Sequence, residues 1–154
     1  MLTADEKREI AEEQQRYPDQ RAACVEALKI VQRGRGWVSD ETLRELADHL
    51  GMTADELDGV ATFYNMIFRR PVGRRVMFLC DSVSCWIMGL EGLRTRLRER
   101  LNVDFGETTS DGEQTLLPIA CLGACDHAPV LMLDGELHED VTPERLDTLI
   151  GPRD

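Results

Sequence analysis

Apolar residues recur at helical spacing through the first half of the chain. Residues 4–16 are highly charged with one main apolar position, whereas residues 20–33 and 43–50 each place several apolar side chains on one helical face. A fourth run of this kind covers residues 54–68. Residues that cap or stop helices separate the runs: Pro18, Gly34, Gly36, Ser39, Gly51, Thr53 and Glu56. Four helices joined by short links predict a small helical bundle over residues 1–70.

The pattern changes near Pro71, where shorter apolar runs separated by turn residues begin. These runs predict a strand at 74–80, a helix at 86–101, a strand at 113–121, a hairpin at 130–139 and a final helix opened by Thr142 and Pro143. The resulting order, β-α-β-β-β-α, is typical of an α/β sandwich of thioredoxin-like type. The predicted fold class is therefore α+β, with the N-terminal helical bundle followed by a thioredoxin-like α/β domain over residues 71–154.

Composition and charge exclude several functions. The chain of 154 residues has 42% apolar residues, enough for a packed core, and a formal net charge of −11 that would repel a phosphate backbone. Its apolar runs fall short of the roughly 18 residues that a membrane span requires. The charged, acidic start differs from both a signal peptide and a transit peptide. We therefore expect a soluble, cytoplasmic protein with no nucleic-acid partner and no direct membrane insertion.

Four of the five cysteines form two close pairs. Four residues separate Cys80 from Cys85, and three residues separate Cys121 from Cys125. Each pair lies at or just after the end of a predicted strand, so two neighbouring strands would bring both pairs to one edge of the sheet. In a reducing cytosol, paired cysteines hold metal more often than they form disulfides. The pattern therefore predicts that four thiolates converge on one cofactor.

Three kinds of site fit this spacing, and they differ in how far apart their ligands stand. A structural zinc ion usually takes four cysteines with tight two-residue spacings, whereas both loops here are wider. A [2Fe-2S] cluster contains two metal ions, and a four-residue spacing occurs in known clusters. The spacing thus favours a [2Fe-2S] cluster over zinc and places a pair of disulfides third. A thiol-redox active site is weaker still, because the chain has no C-x-x-C pair.

The residues around the cysteines suit a negatively charged cluster. Ser82, Ser84 and the loop amides can donate hydrogen bonds to sulfur, although both serines are equally compatible with ordinary turns. Cys85 lies near the predicted start of a helix, where free amides favour anions. Gly123 lacks a Cβ atom, which would let its backbone approach a sulfide closely. Trp86 either shields such a cluster from water or packs within the domain.

Other segments suggest functions that their context disfavours. The stretch 34–39 lacks the third glycine of a dinucleotide fingerprint and follows a helix, so we expect no nicotinamide site in this chain. His127 would match half of a Rieske site, but the C-x-x-H half is absent, which favours an ordinary polar loop residue. Cys24 is predicted to be a buried thiol outside the site. Phe63 and Met66 are predicted to be helix core, and a shared role in contacting a partner is compatible with that segment.

Four segments together carry a resemblance to a known family: ELDGVATFYNMIF, PVGRRVMFLCDSVSCWIMGLEGL, LLPIACLGACDHAPVLMLD and VTPERL. They are similar to the E subunits of bacterial NADH-quinone oxidoreductase, respiratory complex I, and the similarity covers nearly the whole chain. The resemblance implies a helical N-terminal part followed by a thioredoxin-like [2Fe-2S] ferredoxin domain. It also implies that the cluster ligands are Cys80, Cys85, Cys121 and Cys125.

The resemblance further implies an electron-transfer subunit without a complete active site of its own. In that family the subunit docks beside the flavin-bearing, NADH-binding subunit, with the large iron–sulfur subunit of the peripheral arm as a further partner. FMN and NADH would then be bound by the partner, and the cluster would exchange single electrons with the flavin, off the main chain of clusters leading to quinone. The complex would place the chain at the cytoplasmic side of the inner membrane.

Two alternatives stay open at this point. The first keeps the cluster but places the chain in an NAD-linked formate dehydrogenase or a soluble hydrogenase, as the equivalent diaphorase subunit. The second is a zinc-stabilised interaction module with no redox function. The identity of the metal separates the second alternative from the others, and the identity of the partner separates the first.

Overall fold

The computed structural model describes residues 1–151, so residues 152–154 of the predicted second domain lie outside the described residues. The chain divides into two compact units, the first spanning Met1–Pro71 and the second beginning at Val72. Each unit has its own cluster of buried apolar side chains. Within the described part of the chain, no helix combines the length and apolar content that a membrane crossing needs.

Four α-helices form the first unit. They are α1 (Ala4–Gln14), α2 (Cys24–Arg35), α3 (Asp40–Leu50) and α4 (Ala54–Phe63), and a short 3-10 turn leads into α2. Side chains pair with the free backbone N–H groups at the start of three of these helices. Ser39 caps α3, and capping boxes pair Thr3 with Glu6 at α1 and Thr53 with Glu56 at α4. The helical bundle predicted from the spacing is confirmed.

Each helix of this unit contributes a fully buried aliphatic side chain to one core. These side chains are Ile10, Leu28, Leu46 and Leu57, in the order of the helices. Full burial of such a side chain contributes about 1.5–3 kcal/mol relative to leaving it exposed. Cys24 lies in the same apolar cluster, with 9% of its surface exposed. The bundle therefore encloses its cysteine among hydrocarbon side chains.

The segment after α4 corrects one prediction from the sequence. Helix α4 ends at Phe63, and the next residue, Tyr64, has an extended backbone. The side-chain amide of Gln32 holds the following backbone by donating to the carbonyl of Met66 (2.8 Å) and accepting from the N–H of Phe68 (2.6 Å). Phe63 and Met66 then point outward, with 77% and 49% of their surfaces exposed. The prediction that they form helix core was wrong, because Phe63 lies on the exposed side of the last turn of α4 and Met66 follows the end of the helix.

The second unit is built on a five-stranded mixed sheet. Its strands are β1 (Arg75–Cys80), β2 (Glu107–Thr108), β3 (Gln114–Ile119), β4 (Leu131–Leu133) and β5 (Glu136–His138), in the spatial order β2-β3-β1-β4-β5. The central strand β1 pairs in parallel with β3 and antiparallel with β4, and the outer pairs are antiparallel. The carboxyl end of β1 is therefore flanked by the strand that leads to the second cysteine pair.

Three α-helices complete the described part of this unit. They are α5 (Val83–Ile87), α6 (Leu90–Leu101) and α7 (Pro143–Ile150), and the last two bury aliphatic side chains in one core with the strands. The single helix predicted over 86–101 is divided because Gly89 has a φ of 114°, which a residue with a Cβ atom rarely adopts. The predicted α+β class is confirmed. Strand β2 and the start of helix α5 were missed because elements of two and five residues are too short to show a period.

Candidate metal centre

The register of the sheet brings the two cysteine loops to the same edge. In the parallel pairing of β1 with β3, Cys80 stands opposite Ile119, and each is the last residue of its strand. The N–H of Asp81 donates to the carbonyl of Ile119 at 2.7 Å, so the two chains are still paired where they leave the sheet. Cys121 follows two residues later. Both loops therefore begin side by side.

The first loop buries both of its cysteines. Cys80 closes β1 with 1% of its surface exposed, and Cys85 lies inside α5 with 0% exposed. Ser82 is the N-cap of α5, where its hydroxyl oxygen accepts from the N–H of Cys85 at 3.3 Å. The same oxygen lies 3.5 Å from Sγ of Cys80. One serine side chain therefore links the two cysteines of this pair.

The second loop exposes both of its cysteines. Sγ of Cys121 and Sγ of Cys125 lie 3.6 Å apart, and both side chains are open to solvent. A tetrahedral metal with metal–sulfur bonds of about 2.3 Å holds two ligand sulfurs about 3.8 Å apart, so this pair is close to the spacing that one metal ion needs. Gly123 has a φ of 87°, and its N–H donates to Sγ of Cys121 at 3.3 Å. A glycine is needed there for that backbone conformation, which aims an amide at sulfur.

Hydrogen-bond donors of each loop also interact with a cysteine of the other loop. Burial raises the pKa of the Cys80 thiol, but hydrogen bonds from the Ser82 hydroxyl, the Leu122 N–H, the Cys85 thiol and the Ser82 N–H together hold that pKa below its usual value. Leu122 belongs to the second loop, so its amide reaches the sulfur of the first. In the opposite direction, the hydroxyl of Ser84 interacts with Cys125 and lowers its pKa, although the neighbouring Cys121 raises that pKa overall. Each loop therefore contributes a donor that acts on a cysteine of the other loop.

In each cysteine pair, one cysteine raises the pKa of the other. Burial raises the pKa of Cys85, and the adjacent Cys80 raises it further. Cys121 has the same effect on Cys125 in the other pair. A second negative charge in either pair is therefore costly unless a cation compensates it. Metal ions supply that positive charge, so this donor set fits a metal cofactor held by thiolates.

A binuclear centre and a single ion need different arrangements of four thiolates. Among the described residues 1–151, no three His, Cys, Asp or Glu side chains are placed so that they could hold one metal ion together. A tetrahedral zinc site needs four ligands around a single point. A [2Fe-2S] cluster takes four cysteines shared between two irons. The four cysteines stand as two pairs along the chain, and four cysteines are the number that such a cluster takes.

The structure also places three other residues that the sequence singled out. His127 is exposed, and its Nδ1 lies 3.0 Å from Oδ2 of Asp140, whose hydrogen bond raises the pKa of the imidazole. Cys24 belongs to the core of the helical unit. The side chain of Trp86 is 62% exposed, so it does not pack within the unit.

Sequence reasoning missed an apolar surface next to the first cysteine pair. Four large apolar side chains on and after α5 are more than half exposed: Val83, Trp86, Ile87 and Met88. They flank Cys85, which is fully buried. The sequence does contain a sign of this surface. In the stretch VSCWIM, apolar residues lie on both sides of the cysteine, and they are too closely spaced for one helix to bury all of them on a single face. We call these four residues the α5 surface.

Comparison with known proteins gives consistent matches over most of the chain. The model of the thioredoxin-like [2Fe-2S] ferredoxin family matches residues 10–152. The chain is 50% identical to the E subunit of NADH-quinone oxidoreductase from Escherichia coli strain K12 over 149 residues, which cover 97% of this chain and 90% of that protein. It is 46% identical to the corresponding E subunit from Pseudomonas aeruginosa over 150 residues, with coverages of 97% and 90%.

A solved structure shares the fold across most of the chain. It is the crystal structure of an NAD+-reducing [NiFe]-hydrogenase in the air-oxidized state, which superposes with a TM-score of 0.70 and 25% sequence identity over 83% of this chain. The same hydrogenase in the H2-reduced state gives the same TM-score and identity. This chain spans 22% of the matched hydrogenase chain, so the likeness concerns one part of that larger protein.

Proposed function

Because this chain belongs to the thioredoxin-like [2Fe-2S] ferredoxin family and, within it, to the E subunits of NADH-quinone oxidoreductase, we propose which residues carry its cofactor. The proposed ligands of one [2Fe-2S] cluster are Cys80, Cys85, Cys121 and Cys125. Family membership confirms the predicted resemblance, the thioredoxin-like fold and the role of an iron–sulfur electron-transfer subunit in an oxidoreductase complex. The observation that carries the ligand assignment is the meeting of two cysteine pairs at one sheet edge, with donors from each loop directed at the sulfur of the other.

The two cysteine pairs would hold such a cluster in different surroundings, one buried and one exposed. When bound, the cluster supplies one-electron chemistry. Cys80 and Cys85 would bind it from buried positions, which exclude water. Cys121 and Cys125 would bind it from exposed positions. We assign this site to a domain of residues 71–154 and regard residues 1–70 as a separate helical domain.

We propose that the partner at this site is the flavin-bearing, NADH-binding subunit, with the large iron–sulfur subunit also in the assembly. FMN and NADH would be bound by that partner, at the cytoplasmic side of the inner membrane. The name of the relatives supports a multi-subunit oxidoreductase that uses NADH. The α5 surface supports docking next to the cysteines, because exposed Trp and Met side chains are typical of the buried centres of protein interfaces.

Metal analysis and electron paramagnetic resonance of the purified full chain test the cofactor assignment. We expect about two irons and two acid-labile sulfides per chain, visible absorption that bleaches with dithionite, and a rhombic signal from the reduced protein. A colourless protein with one zinc ion per chain would refute the assignment. Anaerobic reconstitution with iron and sulfide guards against loss of the cluster during purification.

Variants of the α5 surface test the proposed partner. Trp86→Glu should weaken binding to the co-expressed flavin subunit by about tenfold or more, since aromatic anchors dominate many interfaces. Leu137→Glu is the matched control, because Leu137 is also exposed, at 40%, but lies on β5. Equal binding by both variants and the wild type would remove the α5 surface from the interface.

One observation favours a second candidate function, in which the chain serves in an NAD-linked hydrogenase. The structural match to an NAD+-reducing hydrogenase fits the same cluster domain working beside a different NAD-linked enzyme. The relatives among the E subunits match at 50% identity and are covered over 90% of their length, whereas the hydrogenase chain matches at 25% and is covered over 22%. Affinity purification of the native complex distinguishes the two, since one assembly reduces quinone and the other oxidises hydrogen.

A further inference from the structure

We propose that Ser82 raises the reduction potential of the cluster by donating its hydroxyl hydrogen to Sγ of Cys80. This inference rests on the cofactor assignment proposed above. Oγ of Ser82 lies 3.5 Å from that sulfur and 3.3 Å from the backbone nitrogen of Cys85. The contact with the Cys85 nitrogen limits the directions in which the hydroxyl hydrogen can point, and so bears on its contact with the Cys80 sulfur.

The N-cap contact fixes the direction of the hydroxyl hydrogen. A serine hydroxyl has one hydrogen to donate and two lone pairs that accept. At the start of α5, one lone pair accepts the N–H of Cys85, so the hydrogen points away from that amide. Cys80 as a thiolate ligand can only accept. The sulfur of Cys80, 3.5 Å from Oγ, can therefore accept the hydroxyl hydrogen. The Cys85 thiol is the other sulfur within reach of this hydroxyl, which lowers its pKa.

Burial makes this hydrogen bond difficult to replace. Cys80 is 1% exposed, so water cannot readily take the place of a missing hydroxyl. Reduction adds negative charge to the cluster, and a donor to a ligand sulfur stabilises the added charge more than the starting charge. Low local polarity strengthens that effect. Loss of the donor should therefore favour the oxidised form.

Ser84 provides an internal comparison. Its hydroxyl interacts with Cys125, a cysteine that is exposed to solvent. Water can donate to that sulfur when the serine hydroxyl is removed. Ser84→Ala should therefore shift the potential much less than Ser82→Ala, although each variant removes one hydroxyl from the same loop.

Three substitutions at position 82 separate the sulfur contact from the helix cap. Ser82→Ala removes both, whereas Ser82→Gly removes the donor but keeps most of the capping preference, because glycine costs only a few tenths of a kcal/mol at an N-cap. Ser82→Thr keeps a hydroxyl in the same position and should restore both. The backbone at Ser82 is extended, with φ −88° and ψ 161°, so all three residues can adopt it.

Protein-film voltammetry of the cluster-loaded full chain measures the effect, with thermal unfolding and the spin-resonance spectrum recorded alongside. We expect Ser82→Ala and Ser82→Gly to raise the ratio of oxidised to reduced protein at a fixed potential by about tenfold, which corresponds to 59 mV for a one-electron couple. Ser82→Thr should stay within about twofold of the wild type. Ser82→Ala should also unfold at a lower temperature than Ser82→Gly.

Two other results would overturn the inference. One is an unchanged potential in Ser82→Ala and Ser82→Gly with the cluster signal intact. The other is a shift in Ser82→Ala without one in Ser82→Gly, because that pattern would assign the effect to the helix cap. A wild-type chain that takes up no iron and sulfide would refute the cofactor assignment itself, and this inference with it.

Discussion

The two units each bury a cysteine, but they surround it differently. In the helical unit, Cys24 lies in an apolar cluster, and partly buried charges of that unit pair with one another, as Arg35 does with Glu6 at 2.8 Å. In the sheet unit, Cys80 is also buried, yet a hydroxyl and an amide are directed at its sulfur. Burial alone therefore does not distinguish Cys80 from Cys24. The polar donors directed at the sulfur make the difference.

The largest expected effect compares these two buried cysteines directly. Cys80→Ser should abolish the visible absorption and the spin-resonance signal of the reconstituted chain, because a buried ligand and its donors are lost together. Cys24→Ser should leave both spectra unchanged. Iron and sulfide analysis of the two variants checks the result. Loss of the cluster in Cys24→Ser at unchanged thermal stability would contradict the proposal that Cys80 holds the cluster and Cys24 does not.

Thiol labelling of the cluster-free chain sharpens the comparison of exposure. Cys121 and Cys125 are exposed, whereas Cys24, Cys80 and Cys85 are buried. We expect the first two to react with iodoacetamide at least about tenfold faster, because the buried thiols react only when the structure opens. Mass spectrometry of the labelled peptides gives the order. Fast labelling of Cys80 would contradict the buried anchor proposed for the first loop.

Core truncations test whether the two units respond separately. Leu46→Ala and Leu131→Ala each remove a fully buried leucine, one from each unit, and each should cost about 2–5 kcal/mol of unfolding free energy. Leu131 follows Val130, whose carbonyl accepts from the N–H of Cys80 at 3.1 Å. We therefore expect Leu131→Ala, but not Leu46→Ala, to broaden the spin-resonance signal. Denaturant titration gives the stabilities, and equal broadening would argue against separate units.

The smallest expected effect is a pH dependence of the helical unit. Hydrogen bonds from the Thr53 backbone, and then from the Arg21 side chain, lower the pKa of Glu56 from 4.5 to about 2. Below pH 4.5 the unfolded chain takes up a proton on Glu56, whereas the folded chain does not until the pH approaches 2. The contribution of Glu56 to stability is therefore complete above pH 4.5 and is lost as the pH falls towards 2. The effect is modest because Glu56 is half exposed.

Glu56→Gln is the matched variant for this pH dependence. Glutamine keeps the capping box but does not titrate. The melting temperature from far-ultraviolet circular dichroism should therefore fall less steeply between pH 4.5 and about 2.5 in Glu56→Gln than in the wild type. Parallel curves would show that the carboxylate of Glu56 contributes nothing to this dependence.

Local signals predicted most of the fold correctly. Helix caps such as Ser39 and Thr142 act within three or four residues, so the sequence contains the whole interaction. Gly89 lies between the apolar residues 86–88 and the leucines of α6, and the pattern gave no sign that the glycine would take a positive φ. Met66 is exposed in a segment whose backbone Gln32 holds by hydrogen bonds at Met66 and Phe68, more than 30 residues later in the chain, and no local pattern records that contact.

For the site, the sequence by itself determined the four candidate ligands and the strand ends that place them, because both depend on short-range spacing. The tertiary structure decided that one pair is buried and the other exposed, and that Ser82 faces both the start of α5 and Sγ of Cys80. Those features depend on which strands become neighbours in the sheet. Strand neighbours are set by packing across the whole unit, and cysteine spacing carries no information about it.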